Sequence, residues 1–361
     1  MKVGIIGGGA CGLVVARILQ ENNIPYILFE KNKIGKKILA SGNGKANIYN
    51  TNVSSEFYND NFAYDLVSKM YAKLLIFLQR IGLYTKTDSE GRTYPYSESS
   101  LTVLNCLVDN YKHILEDFEV KKIVKKDNQF FINDLDEGFD YLVLASGSMA
   151  GMIKAKQNGY NSYLESLNLK TAPLKPSLVG FKLANYPNSL SGIRAKALVS
   201  LYQDTKLIHQ EQGEVIFKDD GISGICILNL SYYYNQLKDK NNCQISLNFI
   251  PNYEVNISSK KELLGLLNMK LANYICEFQD LNHHIRNLTF DIIGTYDFEF
   301  CQVVSGGIVL DQINEDLSLK QESQIFVGGE VLDVDGACGG YNLMFAFSCG
   351  LLIGEMLCNI K

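Results

Sequence analysis

Residues 3 to 19, VGIIGGGACGLVVARIL, place two apolar runs on either side of a knot of glycines. The first run, Val3 to Ile6, is β-branched apart from one glycine, the composition of a strand buried on both faces of a parallel sheet. Beyond the glycines, Leu13, Ala16, Ile18 and Leu19 mark a stripe at helical spacing, which predicts a helix packing back on that sheet. Pro25 to Phe29 and Tyr141 to Ala145 repeat the buried-strand pattern, the latter ending in Ser146-Gly147. Between them, Asp65 to Gly82 has helical periodicity through Leu66, Met70, Leu74, Leu75 and Leu78, with Gly82 as C-cap. Val120 to Ile132 alternates as a hairpin turning at Asp127-Asn128, a β-meander crossover in a Rossmann-type unit.

Around Pro176 the pattern changes. Leu178 to Leu183, Ala197 to Tyr202, Glu214 to Phe217, Ile225 to Leu230 and Gln244 to Phe249 read as short strands with little helix between them, a barrel or sandwich texture. Ser259-Lys-Lys-Glu262 is a capping box opening a helix through Leu263, Leu267, Leu271, Ile275 and Phe278. Gln324 to Val327, Gly339-Gly340 and a long apolar helix then return to strand, turn and helix, so the chain comes back to its first domain and the middle is an insertion. Ala346, Gly350 and Gly354 recur every four residues, a spacing expected for close packing of that helix on the sheet.

Composition narrows the function classes. A chain of 361 residues with 47% apolar content can bury two cores, and a net charge of −5 without a dense basic block makes nucleic acid an unexpected partner. Lys121, Lys122, Lys125 and Lys126 read as the solvated side of the hairpin. Nine cysteines without a C-x-x-C pair argue against zinc ribbons and dithiol chemistry and for a reducing compartment, and the four histidines match no metal or triad spacing. No signal-peptide pattern precedes the first strand, and the apolar stretch Leu343 to Gly354 is shorter than the roughly 18 residues a membrane span needs. The expectation is a cytoplasmic protein with no membrane partner and no metal.

The glycine knot carries the chemistry. Gly7, Gly9 and Gly12 fit G-x-G-x-x-G, in which the first permits a tight turn, the second lets a pyrophosphate approach the backbone and the third lets helix and strand pack closely. The free amides and positive dipole end of the helix then face the phosphates. Glu30 ends the second strand with seventeen residues between it and Gly12, where this fold sets an acid on the adenosine ribose; a 2′-phosphate is disfavoured there.

Seven stretches together resemble the BaiN-like, aminoacetone-oxidase-type NAD(P)/FAD-dependent oxidoreductases of bacteria: GGGACG at 7 to 12, SGNGKANIYN at 41 to 50, GRTYPYSESS at 91 to 100, LVLASG at 142 to 147, GEVIFKDDGISG at 213 to 224, VVSGGI at 303 to 308 and GGEVLDVDGACGGYNLMFAFSCGLLIG at 328 to 354. The resemblance implies a non-covalent, extended FAD and an α/β fold: a Rossmann-type FAD-binding domain, 1–178 with 300–361, interrupted by an antiparallel β-barrel at 179–299 that includes a helical subdomain at about 256–299. The cofactor set it implies is Gly7, Gly9, Ala10, Cys11, Gly12, Glu30, Lys31, Lys37, Ser41, Gly42, Gly44, Asn47, Ala145, Ser146, Gly147, Gly329, Glu330, Gly339, Gly340, Tyr341 and Asn342. Glu330 would reach the ribityl hydroxyls, and the amides from Gly339 to Asn342 the flavin pyrimidine end.

The chain departs from the family at Lys45-Ala46, where Arg-Cys is usual, and at Lys218-Asp219-Asp220 and Ile225 around the G-I-S-G motif; residues 151 to 169 lack the usual S-T-G-D-G-Y. A lysine offers a point charge where arginine offers a bidentate contact. These changes bear on the substrate. Asp219, which the resemblance sets over the flavin, is the candidate substrate-contacting acid, and Lys45 a second polar contact. The expected function is FAD-dependent oxidation or reduction of a small organic substrate by hydride transfer at flavin N5. NAD(P)H, visiting the flavin in the cleft, or oxygen closes the cycle, since no second G-x-G-x-x-G follows a strand. A flavin-dependent RNA-modifying enzyme and a non-catalytic FAD-binding protein are the alternatives; oligomeric state is not legible.

Overall fold

The computed structural model describes residues 1–108, 113–154, 157 and 160–360, so part of the 151–169 stretch lies outside the described residues. Two compact units divide the chain. One comprises Met1–Met149, Ile153–Leu174 and the chain from Val304; the other comprises Ala150–Met152 and Lys175–Val303.

The first unit is built on a six-stranded sheet. Its order is Ser318–Leu319, Glu322–Val327, Tyr141–Leu144, Val3–Ile6, Tyr26–Phe29 and Ile114–Leu115. All neighbours run parallel except the first pair. Val3–Ile6 is central and wholly buried, which is why it reads as a continuous β-branched run. The helix Ala10–Glu21 follows it, with Leu13, Ala16, Ile18 and Leu19 all in the core. Asn61–Arg80 is the packing helix, started by the Asp60 side chain accepting from the Phe62 amide and ended before Gly82 at φ +77°. The crossover is a three-stranded sheet. Its hairpin Ile123–Lys126 and Gln129–Ile132 turns through Asp127 and Asn128, both at positive φ as a type I′ turn requires, and the four lysines are exposed.

The final helix, Tyr341–Asn359, is longer than its apolar segment suggested. By length and composition it could cross a membrane, yet 67% of its most apolar window is buried inside the protein. The every-fourth-residue spacing serves helix-on-helix packing and not the expected packing on the sheet. A Cβ on Gly350 would lie 2.7 Å from the Cys11 carbonyl oxygen and from Val14 Cβ, and one on Gly354 would lie 2.6 Å from Ile18 Cδ1.

In the second unit, Phe181–Leu183, Gly221–Ser223, Lys206–Phe217, Arg194–Gln203, Cys243–Asn248 and Leu288–Thr295 close an antiparallel barrel. Two sequence expectations are corrected here. Ile225 to Leu230 is not a strand but the start of the helix Ile225–Gln236; Cys226, Ile227, Leu230 and Tyr234 join the barrel's own core. A helix buried on most of its circumference has no polar face, so its apolar run shows no period to separate it from a strand. The single helix from Ser259 is three short ones, Lys260–Leu264, Met269–Ile275 and Leu281–Arg286. Ser259 caps the first as expected, but the helix stops before Gly265 and restarts at Asn268, whose side chain accepts from the Leu271 amide. Leu263, Leu271 and Ile275 are fully buried all the same, which is how a broken helix kept an unbroken stripe.

Candidate functional site

At the end of the central strand the three glycines have different physical duties. Gly7 has φ +109°, and a Cβ there would lie 2.2 Å from the Ala145 carbonyl oxygen at the end of the neighbouring strand. A Cβ on Gly12 would lie 2.0 Å from the Gly7 oxygen. Gly9 is unlike either. Its φ is an ordinary −86°, and a Cβ there would meet no atom within 4 Å. Gly9 is also the N-cap of Ala10–Glu21, where no side chain caps the first-turn amides, and Gly9 itself opens onto free space. Cys11 does not: its side chain is buried, a Cβ on Gly329 would come within 3.2 Å of it, and burial pushes its thiol pKa well up. It is a packing residue there, leaving its backbone for the ligand.

Glu30 is tied to the same turn. Its carboxylate accepts from the Gly8 amide and from the Asn32 amide, both at 2.8 Å. Each oxygen keeps a lone pair for a ribose hydroxyl. Glu30→Gln converts one acceptor into a donor, so FAD affinity should fall by about 1–3 kcal/mol, read as a rise in Kd in a flavin-fluorescence titration of apoprotein. An unchanged Kd would remove Glu30 from the site.

The second turn, Ala145 to Gly147, is buttressed by residues the sequence reading missed. Tyr163 shares a hydrogen bond with Ser146 Oγ at 2.7 Å, and Tyr160 donates to the Ser146 carbonyl at 3.3 Å. The Lys31 ammonium lies 4.5 Å from the Tyr160 ring centre, and burial lowers its pKa against the opposing pull of Glu119 and Glu30. Lys37 Nζ donates to Glu330 at 2.8 Å and to the Ser148 carbonyl and hydroxyl, so one cation ties this turn to the acid expected at the ribityl chain.

The loop Ser41 to Asn47 is a run of left-handed backbone, with Gly42, Asn43, Gly44 and Ala46 all at positive φ. Ser41 Oγ donates to the Ile38 carbonyl. Ala46 is fully buried. The loop reaches the start of the final helix: Asn47 Oδ1 is buried without a hydrogen-bond partner and lies 2.7 Å from where a Cβ on Gly340 would stand. Gly339 and Gly340 have φ +134° and +101°, and Gly340 caps the helix without a side-chain acceptor. The side chains of Tyr341 and Asn342 are spent inside the protein. Tyr341 stacks on Phe57 and donates to the Asn52 carbonyl, while Asn342 clamps both backbone groups of Gly336. Only their backbone is left for a ligand.

An open volume at Gly9, two helix starts with uncapped amides and one orphaned buried acceptor fit an extended dinucleotide whose far end carries a ring N–H. Among the described residues no group of three or more His, Cys, Asp or Glu side chains is arranged to hold a metal.

The two polar candidates for substrate lie in different units. Lys45 is half exposed and pairs at 2.8 Å with Glu98, which Lys86 also contacts. Hydrogen bonds from Lys45 and then Lys86 hold Glu98 at about 2, so it loses its charge only as pH falls through that value. Asp219 sits with Asp220 in the two-residue hairpin loop between Lys218 and Gly221, exposed, and accepts from the Ser191 hydroxyl; Asp220 accepts from Tyr296 at 2.6 Å.

A family model described as HI0933-like protein Rossmann domain matches residues 1–356. A 3-dehydro-bile acid delta(4,6)-reductase of Clostridium scindens is 27% identical, the match covering 98% of each chain. A ribosomal RNA dihydrouridine synthase of Haemophilus influenzae is also 27% identical, over 97% of this chain and 98% of that one. Among solved structures, the apo Sdh1 complex of Mycobacterium smegmatis superposes with a TM-score of 0.50 at 13% identity, covering 99% of this chain and 68% of that one, a likeness of fold.

Proposed function

The chain belongs to the HI0933-like Rossmann family and is an enzyme of the FAD-dependent oxidoreductase class, and from that premise we propose that it reduces a carbon–carbon double bond conjugated to a carbonyl in a small organic substrate. The names of two of its relatives support the bond type: a delta(4,6)-reductase of a 3-dehydro substrate and a dihydrouridine synthase both describe hydrogen added to a ring double bond near a ring carbonyl. The observation that carries the cofactor reading is the empty space at Gly9 in front of an uncapped helix start, with Glu30 beside it. When bound, FAD supplies the hydride through N5, and NAD(P)H is the proposed source of its electrons.

The protein's own groups bind and orient. First-turn amides after Gly9 hold the pyrophosphate, Glu30 the adenosine ribose, and Lys37 positions Glu330 for the ribityl hydroxyls. The amides following Gly339 present the helix's positive end to the pyrimidine ring, and Asn47 Oδ1 accepts from its N–H.

Reduction of a uracil base in RNA is the second reading. Tyr84 and Tyr96 favour it: both are 71% exposed, and Lys86 lies over the Tyr96 ring. Anaerobic mixing separates the two. Yellow protein should bleach with NADH or NADPH and regain colour when a cyclic enone is added. Return of colour with unmodified ribosomal RNA alone would move the assignment to the second reading, and no return with either would overturn double-bond reduction.

A further inference from the structure

Reduction of a conjugated double bond needs a proton as well as a hydride. The cofactor residues hold and orient FAD, and Asp219 and Lys45 are candidates for contact with the substrate; none of these is the source of that proton. A small sheet beside the loop Ser41 to Asn47 offers a donor. Its strands are Tyr49–Asn50, Arg92–Pro95 and Thr85–Thr87, with Arg92–Pro95 in the middle. Thr93 is fully buried and Pro95 is buried, so strand alternation puts Arg92 and Tyr94 together on the opposite face, with Lys86 paired to Tyr94 in register. The Tyr94 ring reaches the loop: a Cβ on Gly42 would be 3.8 Å from Tyr94 Cε1. The charges the phenol feels come from three separate segments, Arg92 and Asp88 on its own hairpin, Lys45 on the loop, and Cys338, which immediately precedes Gly339 and Gly340. Among the described residues no hydrogen bond engages its hydroxyl.

We propose that Tyr94 is the proton donor for the substrate, an inference that rests on the double-bond reading above. The hydride from the reduced cofactor adds to the β-carbon, and its electron pair forms the new C–H bond there. The former double-bond pair moves to the α-carbon and, through conjugation, to the carbonyl oxygen. The Tyr94 O–H bond breaks as its proton passes to the α-carbon, and water returns a proton to the phenolate. The hydride's two electrons end in the product, and NAD(P)H restores those the cofactor lost. Arg92, which also pairs with Asp88 and Glu90, and Lys45, which also pairs with Glu98, pull toward the phenolate against the opposing charge of Asp88. Burial raises the phenol's own pKa, which keeps the proton in place until the hydride moves.

Tyr94→Phe keeps the ring against Gly42 and removes only the hydroxyl, so folding and FAD content should match wild type. Anaerobic reduction of the variant's flavin by NAD(P)H should proceed at the wild-type rate. Reoxidation by a cyclic enone should be slower by roughly 100-fold or more, the usual worth of a positioned acid. A second readout needs no turnover: in apoprotein isotope-labelled at tyrosine Cζ, the resonance absent from Tyr94→Phe should move when FAD is added. Equal reoxidation rates in variant and wild type, a resonance indifferent to FAD, or loss of reoxidation in Cys338→Ser but not in Tyr94→Phe would each overturn the assignment. If wild type itself is not reoxidised by the enone, the double-bond reading fails and takes this proposal with it; failure in the variant comparison alone leaves that reading standing.

Discussion

Gly9→Val yields a folded, colourless protein. The backbone at Gly9 is already in a region open to any residue, and a Cβ there meets nothing within 4 Å, so the first added carbon gains no clash. What the valine fills is the space in front of the first-turn amides, which is where a pyrophosphate must come within hydrogen-bond distance of the backbone. Circular dichroism and the melting temperature of the apoprotein should therefore match wild type, while flavin content after purification falls to less than about a tenth. Full flavin content in Gly9→Val would mean that the dinucleotide does not lie on this turn. The neighbouring glycines could not give so clean an answer. A side chain at Gly7 or Gly12 would collide with a backbone carbonyl of the protein itself, and loss of cofactor would then be confounded with loss of fold.

Gly350→Val is expected to do the reverse, destabilising the fold while touching no proposed ligand. Even the first added carbon would sit 2.7 Å from the Cys11 carbonyl oxygen and from Val14 Cβ, atoms of the backbone and of a β-branched side chain that cannot rotate aside. The final helix must move away from Ala10–Glu21, at a cost of about 1–3 kcal/mol for overpacking of this kind. Thermal unfolding should show a midpoint lower by several degrees. Flavin affinity should fall with it, because the displaced helix is the one whose first-turn amides are proposed to meet the pyrimidine ring. A midpoint equal to that of wild type would show that the helix pair can slide without loss.

Some of this molecule was legible from neighbours in the chain. The buried strand Val3–Ile6, the glycine spacing after it, the acid at Glu30 and the turn at Asp127-Asn128 are local features, each enforced by the conformation of a few consecutive residues. The alternation of strand and helix, and the return of the chain to its first sheet through Glu322–Val327, followed from the same kind of signal.

Where burial is complete on all sides the signal disappears. Ile225–Gln236 looked like a strand because a helix buried on most of its circumference shows no clear polar face to reveal its period over its first turns, and only its fit within the barrel's core settles the matter. The three helices after Ser259 looked like one because the stripe reports which residues are buried and not whether the backbone between them is continuous. Long-range partners were beyond reach for a different reason. Lys37 and Glu330 stand 293 positions apart, and the Tyr94 phenol feels the charges of Lys45 and Cys338 from two other segments. A sequence states which of these groups can donate, accept or carry charge. Which of them meet was decided by the packing of helices and strands, since a side chain's partner depends on where its backbone is carried by elements whose own positions are set by the core.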